Sequence, residues 1–214
     1  MKLIFDQYLI EPFFLLFSYF YFYFKDAGLT IIFLALFLKI ILLPLDYLIY
    51  LQEEKIKKAS HKISEATKNI NDLLKKSEII SKIYQEEKIN PFQSLFLQII
   101  NLPLLIAFFI AINKFLNKSH INYYFLNLIN LKEPNIFLGF LALIIQLLFI
   151  NFFSKENKKL SLFLIAMLSP LFFILPSGLL IYIIVTLVFT LLERKIIFAQ
   201  KVQPTISSIE KNNS

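Results

Sequence analysis

The sequence predicts an all-α fold, a polytopic membrane protein with five transmembrane helices, an N-terminal interfacial helix and a cytoplasmic helical hairpin. Three observations carry that expectation. More than half of the 214 residues are apolar, and they collect in runs long enough to cross a hydrocarbon core about 30 Å thick. A charged stretch with helical periodicity separates the first run from the second. Basic residues crowd one set of the intervening segments.

The elements follow in order. Lys2 is followed by Asp6 and Glu11, and no small-residue cleavage site comes after the first apolar stretch, so the start does not read as a signal peptide. That stretch, 12–24, is too short to span a bilayer and is interrupted by Ser18 and several tyrosines; it reads as a helix lying on one leaflet. Residues 1–27 are therefore expected to form an extracytoplasmic tail with this interfacial helix, and Lys25-Asp26-Ala27-Gly28 breaks the chain before the first span. The core, 28–193, is expected to hold spans at 28–50, 91–113, 135–153, 160–175 and 178–193. The last two come from one apolar region too long for a single crossing, which Pro176-Ser177-Gly178 divides. Residues 194–214 form a polar tail.

Between the first two spans, 51–89 is expected to be a helical hairpin. Ile56, Ala59, Ile63, Ala66 and Ile70 make a narrow helical stripe, and Ile79, Ile80, Ile83 and Tyr84 make a second. Asn69-Ile70-Asn71-Asp72 between them carries turn and capping chemistry. Nine lysines here are interleaved with seven acids, the pattern of a solvated helix face rather than of a nucleic-acid patch, so DNA is not an expected partner.

Orientation follows from charge. Segments 51–89, 154–159 and the tail together hold sixteen Lys or Arg, against five in the N-terminal region and the 114–134 linker. The positive-inside rule puts the N-terminus outside and the hairpin and C-terminus in the cytoplasm.

The candidate functional residue is Lys39. It lies roughly 16 Å along the first span from Gly28, near the bilayer midplane, about three turns from either end. A cation there costs at least about 2.5–3.5 kcal/mol on insertion scales, and snorkelling serves best nearer a helix end. A wet hollow among the helices is the better expectation. Gln98 and Asn101 in the second span, Gln146 in the third and Thr186 and Thr190 in the fifth are the other polar side chains available. They either line one hydrophilic cavity with Lys39 or act singly as interhelical glue worth about 1 kcal/mol each.

Composition narrows the chemistry. There is no cysteine, and the two histidines, His61 and His120, are far apart in polar segments, so no metal site and no thiol nucleophile are expected. With three glycines in the whole chain there is no phosphate-cradling loop, and no cofactor is expected. Ser177-Gly178 lacks a glycine two residues earlier and no span carries a histidine, which argues against a membrane protease and against an enzyme. A small channel or transporter remains the alternative, though no internal repeat supports it.

These motifs resemble the YidC/Oxa/Alb family of membrane protein insertases. Gly28-Leu29-Thr30-Ile31-Ile32, then Lys39, then Pro44-Leu45 is similar to the family's Gly-x-Ala-Ile-Ile, basic residue and Pro-Leu. Tyr84 through Asn90-Pro91 resembles its Tyr-Lys-x(n)-Asn-Pro, Asn101-Leu102-Pro103 its Gln-x-Pro, and Pro176-Ser177-Gly178-Leu179-Leu180-Ile181-Tyr182 its Pro-Ala-Gly-Leu-x-x-Tyr. The chain departs from the pattern with Lys39 for arginine, Asn101 for glutamine, Ile183 for tryptophan and Leu187 for asparagine. With no large domain before Gly28, the likeness is to the short bacterial form. The resemblance implies a non-enzymatic insertase and chaperone of the bacterial plasma membrane, with a hydrophilic intramembrane groove and Lys39 as its basic residue. It implies nascent membrane proteins and lipids as partners, with the ribosome and the Sec translocon as further candidates.

Overall fold

The computed structural model describes residues 5–68, 70, 72–87, 89, 91–153 and 158–198, with the side chains of 91–102, 153, 158–161, 164 and 196–198 outside that description. The described residues are overwhelmingly helical. A π-helical turn, Asp6–Ile10, leads into α1, Glu11–Phe24. Helix α2 is Ala27–Thr67, α3 is Leu73–Glu86 and α4 is Pro91–Leu116. A two-residue-per-strand hairpin, β1 Tyr124–Phe125 and β2 Ile129–Asn130, precedes α5, Ile136–Phe153. Helix α6 is Lys158–Leu168, continued as a 3-10 turn over Ser169–Phe173, and α7 is Ser177–Leu192, continued as a π-helical turn over Glu193–Phe198.

Two boundaries differ from the sequence expectation. The first span and the first arm of the hairpin are one unbroken helix, because nothing between Leu45 and Thr67 breaks it and Pro44 is accommodated inside it. The expected 160–175 span is α-helical only to Leu168. Pro170 has no N–H to donate and crowds the preceding turn, so the chain tightens into the 3-10 turn there.

The chain divides into two compact units, Met1–Ile41 with Leu104–Ser214, and Leu42–Pro103. The smaller unit holds the hairpin. Ala59, Ile83 and Ile89 are buried, and Ile56, Ile63, Ile79 and Tyr84 pack around them. Ala66, which the stripe had assigned to this seam, is exposed. Asp72 caps α3 by accepting from the Leu74 N–H at 2.9 Å. Asn69 and Asn71, the rest of the expected turn, lie outside the described residues. Lys62 donates to the Glu87 carboxylate between the arms, and that hydrogen bond raises the lysine pKa above its ordinary value.

The larger unit has an aromatic core. Phe17 of α1 is fully buried against Phe108 and Phe115 of α4, with ring centroids 5.2 Å apart in both pairs. The Tyr182 ring of α7 lies tilted against Phe108, with centroids 4.6 Å apart. One stripe of α2 is buried, namely Ala27, Ile31, Leu34, Ala35 and Leu38, at the 3-4 spacing of a helix face. The opposite situation holds on α5, where Phe137, Phe140, Leu141, Ile144, Leu147 and Leu148 form a continuous exposed apolar face. A water-soluble protein rarely leaves such a stripe uncovered, whereas lipid covers it without cost. Among the described residues, α2 and the segment Ser177–Lys195 are long and apolar enough to cross a membrane, and Pro103–Leu116 and Ile136–Phe152 are shorter apolar helices.

One end of this unit is knitted by the 121–134 segment. Asp26 accepts from Leu29 N–H at 2.9 Å through one oxygen and from Leu126 N–H at 2.7 Å through the other. Leu126 and Asn127, both with positive φ, make the tight turn between β1 and β2, which Leu128 N–H closes onto the Phe125 carbonyl at 2.9 Å. Gly28 lies so close to the Phe125 ring that a Cβ there would overlap it. At the start of α7, Ser177 N–H donates to Glu133 O at 2.8 Å and Gly178 N–H to Leu131 O at 2.9 Å. Helices α2 and α7 thus set out from the same tied end.

Candidate functional site

Lys39 and Glu193 meet at 3.3 Å, Nζ to Oε2. The lysine side chain is 12% exposed and the glutamate 1%. Each is placed by its helix. Lys39 follows Leu38, the last residue of the buried α2 stripe, so it stands on the flank of that stripe rather than on the outer face. It is roughly 18 Å along the axis from Ala27. Glu193 is roughly 24 Å along from Ser177, where α7 widens from α to π geometry. Its own N–H is shared between the carbonyls of Phe189 and Thr190. Beyond it, Arg194 lies over the Phe149 ring of α5 at 5.2 Å, and Lys195 over Phe152 at 5.6 Å.

The pair changes the energetics expected for an isolated lysine. A lone ammonium among apolar helices is costly wherever it is not wetted. Here a carboxylate faces it, and breaking a buried pair by removing one member costs about 3–5 kcal/mol. With Glu193 in place, Lys39→Met removes the ammonium that a buried carboxylate faces.

The other sequence candidates are distributed as follows. Thr186 and Thr190 lie on the Glu193 face of α7, at i−7 and i−3 from it. Both hydroxyls donate to their own helix, Thr186 to the Tyr182 and Ile183 carbonyls at 2.9 Å and Thr190 to the Thr186 carbonyl at 2.8 Å. Their donors are thus spent locally, and only the oxygen lone pairs face outward. Gln146 is half-buried on α5, beside buried Ala142 and Ile145. Gln98 and Asn101 belong to α4, but their side chains lie outside the described residues. Glu193 was missed as a site residue, because its polarity marks the end of the last apolar run and reads as the beginning of a tail. The signal that could have found it is helical phase, since Tyr182, Thr186, Thr190 and Glu193 recur at 4, 4 and 3. Among the described residues, no group of three or more His, Cys, Asp or Glu side chains is placed to hold a metal ion.

Comparison with known proteins gives this geometry a context. The membrane protein insertase YidC of Wigglesworthia glossinidia brevipalpis is 24% identical over 198 residues, which are 89% of this chain and 37% of that protein. The protein of the same name in Buchnera aphidicola subsp. Schizaphis graminum is 26% identical over 199 residues, 90% of this chain and 37% of the relative. That of Geobacter metallireducens is 26% identical over 188 residues, 84% and 35% respectively. The chain thus spans little more than a third of the length of these relatives. The profile of the 60Kd inner membrane protein family matches residues 19–207, a stretch that includes Lys39, Glu193 and every helix from α2 to α7. The chain belongs to the 60Kd inner membrane protein family.

Proposed function

We propose that the protein is a membrane protein insertase and chaperone that lowers the barrier for a short polar segment entering the bilayer. The observation that carries this reading is Lys39, a cation held by a carboxylate among apolar helices, in a chain whose relatives are named insertases. Its work is electrostatic and partitional, with no bond made or broken. An ammonium in a low-dielectric setting attracts an acidic residue of a substrate tail far more strongly than it does in water. Apolar substrate helices leave by the greasy faces of neighbouring spans into lipid, driven by hydrophobic partition. For acidic tails the membrane potential adds about 2.3 kcal/mol per charge per 100 mV.

The finer features of this reading are also proposals. The protein crosses the bacterial plasma membrane five times, with the N-terminus outside and the 51–89 hairpin and C-terminus in the cytoplasm; the lysine asymmetry supports this. Residues 1–27 are the outer tail and interfacial helix, 28–193 the insertase core and 194–214 the cytoplasmic tail. Gln98, Asn101, Gln146, Thr186 and Thr190 line the groove with Lys39. Nascent membrane proteins and lipids are its partners, and the ribosome and Sec translocon are candidates.

The test is complementation of an insertase-depleted cell, paired with liposomes that contain the full chain and two matched single-span reporters, one acid-tailed and one neutral. Growth rescue together with reporter insertion supports the reading. Solute flux without insertion would make the protein a channel or transporter instead.

A further inference from the structure

The carboxylate on Lys39 belongs to the protein itself, and it sits where the helix geometry changes. Glu193 is fully buried, its Oε2 is 3.3 Å from the Lys39 ammonium, and it opens the π-helical turn Glu193–Phe198. π turns are rare, are confined to short stretches and often mark functional sites. On the far side of this one, Arg194 and Lys195 lie over Phe149 and Phe152 of α5. The turn thus meets α5 through Arg194 and Lys195 and Lys39 through Glu193.

From this arrangement we infer that Glu193 is a specificity-determining residue, an internal carboxylate that occupies Lys39 in the resting protein and is displaced by an acidic residue of an incoming substrate tail. The inference rests on the insertase reading and adds a selection rule to it. Any acid reaching Lys39 competes with a carboxylate already held in place, so only the difference between the two interactions counts. A neutral tail offers nothing in exchange and leaves the pair closed. A tail with several acids has more ways to replace Glu193 than a tail with one. The protein therefore grades substrates by the acidity of the translocated segment, and Glu193 sets the threshold.

The experiment uses the full chain in liposomes and three single-span reporters whose tails carry no, one or three acidic residues. Wild type should favour the three-acid tail over the one-acid tail. Glu193→Gln keeps the shape and removes the competing charge; it should raise insertion of the one-acid reporter about tenfold, a difference of about 1.4 kcal/mol in competition for Lys39. The ratio of one-acid to neutral insertion should rise, whatever the variant does to insertion as a whole, and Glu193→Asp should fall between wild type and Glu193→Gln. An equal fall for all three reporters would make Glu193 a structural prop and overturn the inference, as would an unchanged ratio between them. A second measurement does not depend on insertion. Dicyclohexylcarbodiimide should join Lys39 and Glu193 as an amide in the wild-type chain, read by peptide mass. An added peptide carrying the acidic tail should lower that yield, and a neutral one should not. Equal yields with both peptides would overturn the inference even if every variant folds poorly. If wild type inserts no reporter, the insertase reading fails, while the crosslink still decides whether an incoming acid and Glu193 share Lys39.

Discussion

At the scale of single residues, the buried pair makes a thermodynamic prediction separate from function. Lys39→Met and Glu193→Gln should each destabilise the protein by about 3–5 kcal/mol, because each breaks the buried ion pair. The double variant removes both charges and should recover most of that loss. Denaturant titration in mixed micelles measures all three, and losses that simply add would mean that the two side chains do not depend on each other. Gly28 makes a second prediction. A methyl group at that position runs into the Phe125 ring, so Gly28→Ala should cost about 1–3 kcal/mol as overpacking. Phe125→Gly in the same chain, which removes the Cβ as well as the ring, should restore tolerance of the alanine. An unchanged melting temperature for Gly28→Ala alone would show that the ring has room to move.

Among the elements, the hairpin in the Leu42–Pro103 unit has a small core and depends on its ends. Asp72→Ala removes the side-chain acceptor for Leu74 N–H and should cost about 1 kcal/mol. Faster hydrogen exchange confined to the first turn of α3 is the expected readout, and uniform exchange along the helix would contradict a capping role. The Lys62–Glu87 pair adds an alkaline dependence. Its folded-state pKa is raised, so its contribution is complete below the ordinary lysine value and disappears as pH rises through the raised one. Lys62→Met should flatten that part of the hairpin's stability profile, which circular dichroism against pH can follow. Periodicity made both hairpin arms legible in the sequence, since Ile56, Ala59 and Ile63 sit at helical spacing and face Ile79 and Ile83. The β1–β2 turn was not legible. Leu126 carries none of the usual chemistry for a positive φ, and it holds that conformation where Asp26, a hundred residues earlier, accepts its N–H.

For the whole molecule, the testable matter is topology. The chain has no cysteine, so single cysteines report without background. Ser64→Cys should react only with reagents that reach the cytoplasm, and Asn127→Cys with impermeant reagents added outside. Labelling of both from the same side would overturn the proposed orientation. The helical segments were readable because apolar runs are local signals, and a lysine within one of them stands out in the same way. The companion of that lysine was not, because Lys39 and Glu193 are brought together only by two helices that begin at a common tied end. Helix pairing depends on packing among Phe17, Ile31, Phe108 and Tyr182, whose partners no local pattern specifies.

The tied end has a consequence for the cell's energy supply. Asp26 fastens α2 to the 121–134 segment by accepting the Leu126 N–H through its carboxylate, and Ser177 and Gly178 fasten α7 to it by backbone hydrogen bonds, whereas Lys39 and Glu193 join the same helices further along. If the two helices separate to admit a segment, they part first at the ion pair and stay closed at the knot. Such a movement is one-sided: it opens a cleft and not a pore. Under the proposed insertase function, protons and sodium would then have no continuous wet path past the knot, and a membrane crowded with working copies would keep its ion gradients. The knot, more than the lysine, would then be what separates a device that admits polypeptide from one that leaks.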